Sequence, residues 1–179
     1  MEDKQIIQLA KELGFFKAEI VETKNIVFDE KFRPYCEDNY CGQFGVNYSC
    51  PPICGTVEEM KNRVLKYKKA VVLMTQWEVP ALDDKEKLKN GKQKHNAYTF
   101  KLIDKLKEAG HNGLMIGASG CGLCSPCKLK EGKPCAFPEK RYSCMSAYCI
   151  FVKDLADKCN MEYDYKNGLL AYFGLYAFD

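Results

Sequence analysis

Histidine is scarce in this chain: His95 and His111 are the only two in 179 residues, and neither falls inside a group of cysteines. A zinc finger of mixed Cys and His ligands is therefore poorly supported. Also missing is any apolar stretch near the ~20 residues that a membrane helix requires. The opening "MEDKQIIQLAKELGFF" carries charge throughout and lacks the apolar core of a secretory leader, so the expected address is the cytoplasm. A net charge of only +3 offers no basic face of the kind nucleic acids select, and no nucleic acid or membrane is expected as a partner. There is no Walker loop: the glycine-rich run "GASGCG" lacks the Lys-Ser/Thr ending. A nucleophile elbow and a His-Glu zincin motif are likewise absent.

Cysteine, in contrast, is abundant, with 11 residues, an odd number. In a reducing compartment, clustered thiols point to metal ligands or redox groups before structural disulfides. They fall into two sets of four. The first, in "YCEDNYCGQFGVNYSCPPICG", holds Cys36, Cys41, Cys50 and Cys54; the second, in "GASGCGLCSPCKLKEGKPC", holds Cys121, Cys124, Cys127 and Cys135. Two separate groups of four thiols match the requirement of two four-ligand metal sites.

Cys121, Cys124 and Cys127 stand at successive three-residue steps. That spacing lets one wrapped loop reach three corners of an iron–sulfur cubane, as in bacterial ferredoxins. Gly117, Gly120 and Gly122 free the backbone to curl inward, and Pro126 stiffens the turn. A 4Fe–4S cluster held by four thiolates carries about −2 when oxidised, and Lys128, Lys130, Lys133, Lys140 and Arg141 are at hand to offset it. Zinc and a bare redox dithiol remain alternatives. Cys144 and Cys149 are substitutes for Cys135 as fourth ligand, because in two-cluster ferredoxins the last cysteine of such a run serves the other cluster. The first set, with four, eight and three intervening residues, fits no ferredoxin pattern. "SCPPIC" there makes a rigid extended turn, and packing alone is a weak explanation for four thiols in a short loop. Tyr35, Tyr40, Tyr48, Tyr142 and Tyr148 flank the two sets, where they shield a cluster or simply pack.

Around these loops the periodicity reads as α/β. A helix is expected over 3–14 and a strand or bent hairpin over 17–29, followed by the cysteine loop over 33–55. Thr56 is placed to cap the next helix, and 70–79 suits a buried strand. Residues 83–109 read as a long solvated helix, interrupted near Asn90-Gly91, with a charged outer face. A strand over 112–119 leads into the second loop, a helix is expected over 146–160, and the aromatic tail closes the sheet. Cys149 and Cys159 fall on that last helix as buried thiols. Strand, cysteine loop, helix and strand thus occur twice, over 17–76 and 112–178. The expectation is one cysteine-rich metal-binding α/β domain spanning 1–179, a small mixed sheet with flanking helices and both loops at strand ends.

At "CPP" (Cys50 to Pro52), "CGLCSPC…GKPCAFPEK" and "SCMSAYCIFVKDLA" the chain resembles a family of predicted metal-binding proteins, domain of unknown function 2284. The resemblance implies an iron–sulfur or related metal carrier of anaerobes. It implies metal at Cys36, Cys41 and Cys50 and at Cys121, Cys124, Cys127 and Cys135. The chain departs from the family where Ala136, Ser146 and Cys149 replace a basic residue, an acid and a glycine. Together these readings lead to an iron–sulfur protein with one or two 4Fe–4S clusters, passing electrons to a redox partner protein. Two alternatives stay open: a zinc-held structural or interaction module, and a cluster-assisted reductase acting on a small molecule near "CPPIC". No general acid, base or substrate is named by the sequence, which leaves open whether the chain is an enzyme.

Overall fold

Two ten-residue segments with continuous apolar runs make the centre of the molecule. In the computed structural model, which describes all 179 residues, these are β2 (Lys69–Glu78) and β5 (Leu169–Phe178), paired antiparallel along their whole length. β1 (Lys17–Glu22) adds antiparallel to β2, and β3 (Gly113–Gly117) adds antiparallel to β5. β4 (Ser143–Cys144) lies parallel beside β3, giving the order β1-β2-β5-β3-β4. Each strand–loop–helix–strand segment therefore pairs its own two strands, and the segments meet along β2 and β5.

Both faces of the sheet are covered. Ala70, Val72 and Met74 point to one side, against Met60 and Val64 of α3 (Val57–Leu65) and Leu155 of α5 (Val152–Lys158). Val71 and Leu73 point to the other, against α1 (Asp3–Glu12) and α4 (Lys85–Glu108). A strand buried on both faces reads as a continuous apolar run, as "AVVLM" does. Thr56 caps α3 as expected: its hydroxyl accepts from the Glu59 N–H at 3.2 Å, and the Glu59 carboxylate accepts from the Thr56 N–H at 2.8 Å.

Four expectations change. α4 runs unbroken through Asn90-Gly91. Gly91 is a packing residue there, since a Cβ would come within 2.6 Å of the Tyr172 ring. One side of α4 is core rather than solvated, burying His95, Thr99, Leu102 and Leu106. Neutral His95 shares a 2.9 Å hydrogen bond with Thr75, and complete burial holds its pKa down to about 3. The last helix begins only at Val152, because Cys149 adopts a left-handed φ of 54° that ends the preceding turn. That is the position where the family resemblance implies a glycine, the residue that adopts this conformation most readily. Within the first loop, 33–55, a short helix α2 (Arg33–Glu37) carries Cys36.

Candidate metal centre

β3 and β4 end side by side, with Gly117 opposite Cys144. The carboxyl end of β3 launches the second cysteine loop, which returns into β4, and Cys144 stands at the carboxyl end of β4 beside it, the end of an α/β sheet where ligands gather. The first loop is tied to the same place. Phe28 bridges to Ile150, the Asp29 N–H donates to the Cys149 carbonyl at 2.8 Å, and Arg33 donates to the Ala147 carbonyl at 3.1 Å. Farther along, Arg63 of α3 donates to the Cys54 carbonyl at 2.7 Å.

The thiols then sort into two places. Cys121, Cys124, Cys127 and Cys135 line one narrow hollow, closed by Tyr48, Phe137 and Arg141. The four residues expected from the second loop are thus brought together. Cys36, Cys41 and Cys50 line a larger cavity of about 600 Å³. Cys144 lines it as well, and so does Cys121, which lies between the two spaces and lines both; Cys54 lines neither and is buried, at 5% exposure. Cys149 is buried near Arg33 and lines neither space. Cys144 thus faces the first set instead of substituting for Cys135. Sequence spacing gave no signal for this, since 90 or more residues separate it from Cys36, Cys41 and Cys50.

The two places adjoin. Asn47 is 3% exposed and uses both ends of its amide. Its oxygen accepts from the Ser49 N–H at 3.0 Å and the Ser49 hydroxyl at 2.9 Å, and its nitrogen donates to the Cys121 carbonyl at 3.1 Å. The Cys121 N–H in turn donates to the Ser49 hydroxyl at 2.9 Å, and that hydroxyl lies 3.8 Å from the Cys50 sulfur. Gly120 permits the approach, because a Cβ there would stand 3.2 Å from the Cys50 sulfur. From the opposite side, α4 supplies Asn96. Asn96 accepts from the Ala118 N–H at 3.0 Å and donates to the Tyr142 hydroxyl at 3.2 Å, which also accepts from the Gly122 N–H at 3.4 Å. Of the five tyrosines, Tyr35, Tyr40 and Tyr48 line the thiol spaces, while Tyr142 and Tyr148 are buried.

Burial sets the ionisation of these thiols. Burial pushes the Cys36 thiol up to about 11, with Cys144 adding to it and Arg33 opposing. Burial pushes Cys50 up to about 12, opposed by the Ser49 hydroxyl. Burial raises Cys121 and Cys144 too, against backbone N–H groups of Leu123 and Tyr142 at the first and of Ala147 and Ser146 at the second. Such thiols stay protonated until a positive centre displaces the proton. Of the basic residues in the second loop, Lys128 and Lys133 are paired with Glu131 at 2.9 and 2.8 Å, leaving Arg141 to line the hollow. No three Cys, His, Asp or Glu side chains converge as ligands of one ion would. No helix is long and apolar enough to cross a membrane.

Residues 19–176 match the family described as predicted metal-binding protein (DUF2284), and the chain belongs to that family. No curated protein and no solved structure matches it.

Proposed function

From membership of this metal-binding family, we propose that the chain is an iron–sulfur protein holding two 4Fe–4S clusters and passing electrons to a partner enzyme. The observation that carries the reading is a pair of adjoining thiol-lined spaces that share Cys121, one of them holding the three-residue-step run at Cys121, Cys124 and Cys127. The proposed ligands are Cys121, Cys124, Cys127 and Cys135 in the hollow, and Cys36, Cys41, Cys50 and Cys144 in the cavity. The fit rests on donor chemistry: all eight are sulfur, the close approach at Gly120 is available, and backbone N–H groups already favour the thiolates of Cys121 and Cys144. A cluster supplies one-electron oxidation and reduction when bound. The surrounding chain does the rest. Asn47 and Ser49 hold the two sets in fixed register, Arg33 and Arg141 offset thiolate charge, and Tyr48 and Phe137 limit the access of water to the hollow.

Zinc is the weaker reading. Both histidines lie away from the thiols, with His95 sealed in the core, and a single tetrahedral ion would need donors drawn onto one point. A second reading, a reductase acting on a small molecule, is favoured by one observation. The first thiol set opens into a cavity of about 600 Å³ in which Cys41 and Tyr40 are exposed.

Metal analysis of protein purified without oxygen tests the proposal. Two clusters give a brown protein with about eight iron and about eight acid-labile sulfide per chain. With both sets full, the reduced protein shows magnetically coupled clusters in its electron paramagnetic resonance spectrum. Zinc without sulfide refutes the iron–sulfur reading, and a single isolated signal refutes the paired arrangement.

A further inference from the structure

The thiol cavity continues past its cysteines. Lys89, Lys92 and Ser119 line both it and an adjoining cavity of about 580 Å³. The adjoining space has an apolar floor that includes Leu88, Phe100 and Leu123, and Lys85 stands on its rim. Lys85, Lys89 and Lys92 follow one another at steps of four and three, which places them on one face of α4. None of the three is in an ion pair, although eight ion pairs occupy other lysines of this molecule. No aspartate or glutamate lines either cavity. A concave, carboxylate-free wall carrying three free ammonium groups concentrates anions. The wall is also built to stay in place: Asn96, 6% exposed, holds Ala118 and Tyr142 from beneath it.

We propose that this double cavity binds a small organic anion, a carboxylate or phosphate ester with an apolar body. Lys89 and Lys92 hold the anionic group, and the body lies on Leu88, Phe100 and Leu123. Charge balance for a metal site does not explain the arrangement, because Lys85 and the apolar floor belong to the space that has no thiol lining it. A flat acidic protein surface would not reach that floor. The inference concerns binding alone and holds whichever metal the thiols take.

The test is calorimetric titration of phenyl phosphate into the full chain purified without oxygen, with iron, sulfide and zinc measured on the same samples. Saturable one-to-one binding is expected, tighter than for inorganic phosphate because the ring covers the apolar floor. Reversing both charges in K89E/K92E weakens it by roughly tenfold or more, as expected for loss of two charge-assisted contacts. K4E/K66E makes the same change of net charge on exposed residues outside both cavities and leaves binding intact. Four results would overturn the proposal: no saturation; equal loss in both double variants; binding of polyglutamate but not phenyl phosphate; or K89E/K92E losing metal while keeping its phenyl phosphate affinity. Zinc in place of iron would sink the iron–sulfur reading and leave this one standing.

Discussion

Replacing Cys144 and Cys54 in turn by serine separates the tertiary assignment of the first thiol set from the sequence-based one. Both substitutions exchange sulfur for oxygen at nearly constant shape, so each leaves the backbone where it is. Cys144 is held against Gly117 at the end of β3 and lines the cavity with Cys36, Cys41 and Cys50. On the proposed assignment C144S removes one of the four ligands of the first cluster. Iron falls from about eight to about four per chain, the second set being untouched. Cys54 is 5% exposed and packs in the core with Met60 and Tyr148. C54S keeps about eight iron but puts a hydroxyl into a buried position where its polar neighbours are the Arg33 and Arg63 guanidinium groups, at a cost of about 1–3 kcal/mol. In a chain of this size that lowers the melting temperature by roughly 2–12 °C. Iron and sulfide assays, with melting followed by circular dichroism, read both quantities. Half the iron lost in C54S and none in C144S would refute the assignment.

Acid titration of stability tests the buried histidine. With a pKa near 3 in the fold against about 6.5 unfolded, the unfolded chain binds the extra proton between those values. His95 therefore contributes stability that is full above about pH 6.5 and is lost as pH falls, about 2 kcal/mol between pH 7 and pH 5. Denaturant unfolding at both pH values measures it, and H95Q flattens that part of the slope; an unchanged slope disproves neutral burial. N47A strands the buried Ser49 N–H and the Cys121 carbonyl, lowering stability by about 2–4 kcal/mol and loosening the link between the thiol sets. Loss of magnetic coupling in the reduced variant is the accompanying signature. G91A gains at most about 1 kcal/mol of helix propensity but meets the Tyr172 ring, an overpacking cost of about 1–3 kcal/mol. It destabilises the native chain and turns stabilising in a Y172A background, which a double-mutant cycle by urea unfolding decides.

Local pattern foretold most elements because each obeys its own period. Ile6 and Ala10 recur at helical spacing and are the buried residues of α1; "AVVLM" is the apolar run of a strand covered on both faces. Where local pattern misled, a distant contact decided. Asn90-Gly91 has the composition of a break, yet the helix continues because the missing Cβ admits Tyr172, some 80 residues away in sequence. Ala147 and Ile150 have helical spacing, but Cys149 turns left-handed and the segment is instead bound to Val27 and Asp29.

The same division runs through the candidate site. Cysteine number, the three-residue steps of Cys121, Cys124 and Cys127, and the scarcity of histidine are properties of the sequence alone, and by themselves they determine a sulfur-rich site on a wrapped loop. Cysteines close in sequence stay near one another whatever the rest of the chain does, because the two or three residues between them span too little length to carry them far apart. The membership of Cys144 in the first set, the Asn47–Ser49 link to Cys121, and the meeting of Lys89 and Lys92 with the thiol cavity were decided only by tertiary structure. Each joins residues from separate elements, and their distance is set by the parallel pairing of β3 with β4 and by the packing of α4 on the sheet. Neither the pairing nor the packing has a local period from which it could be read.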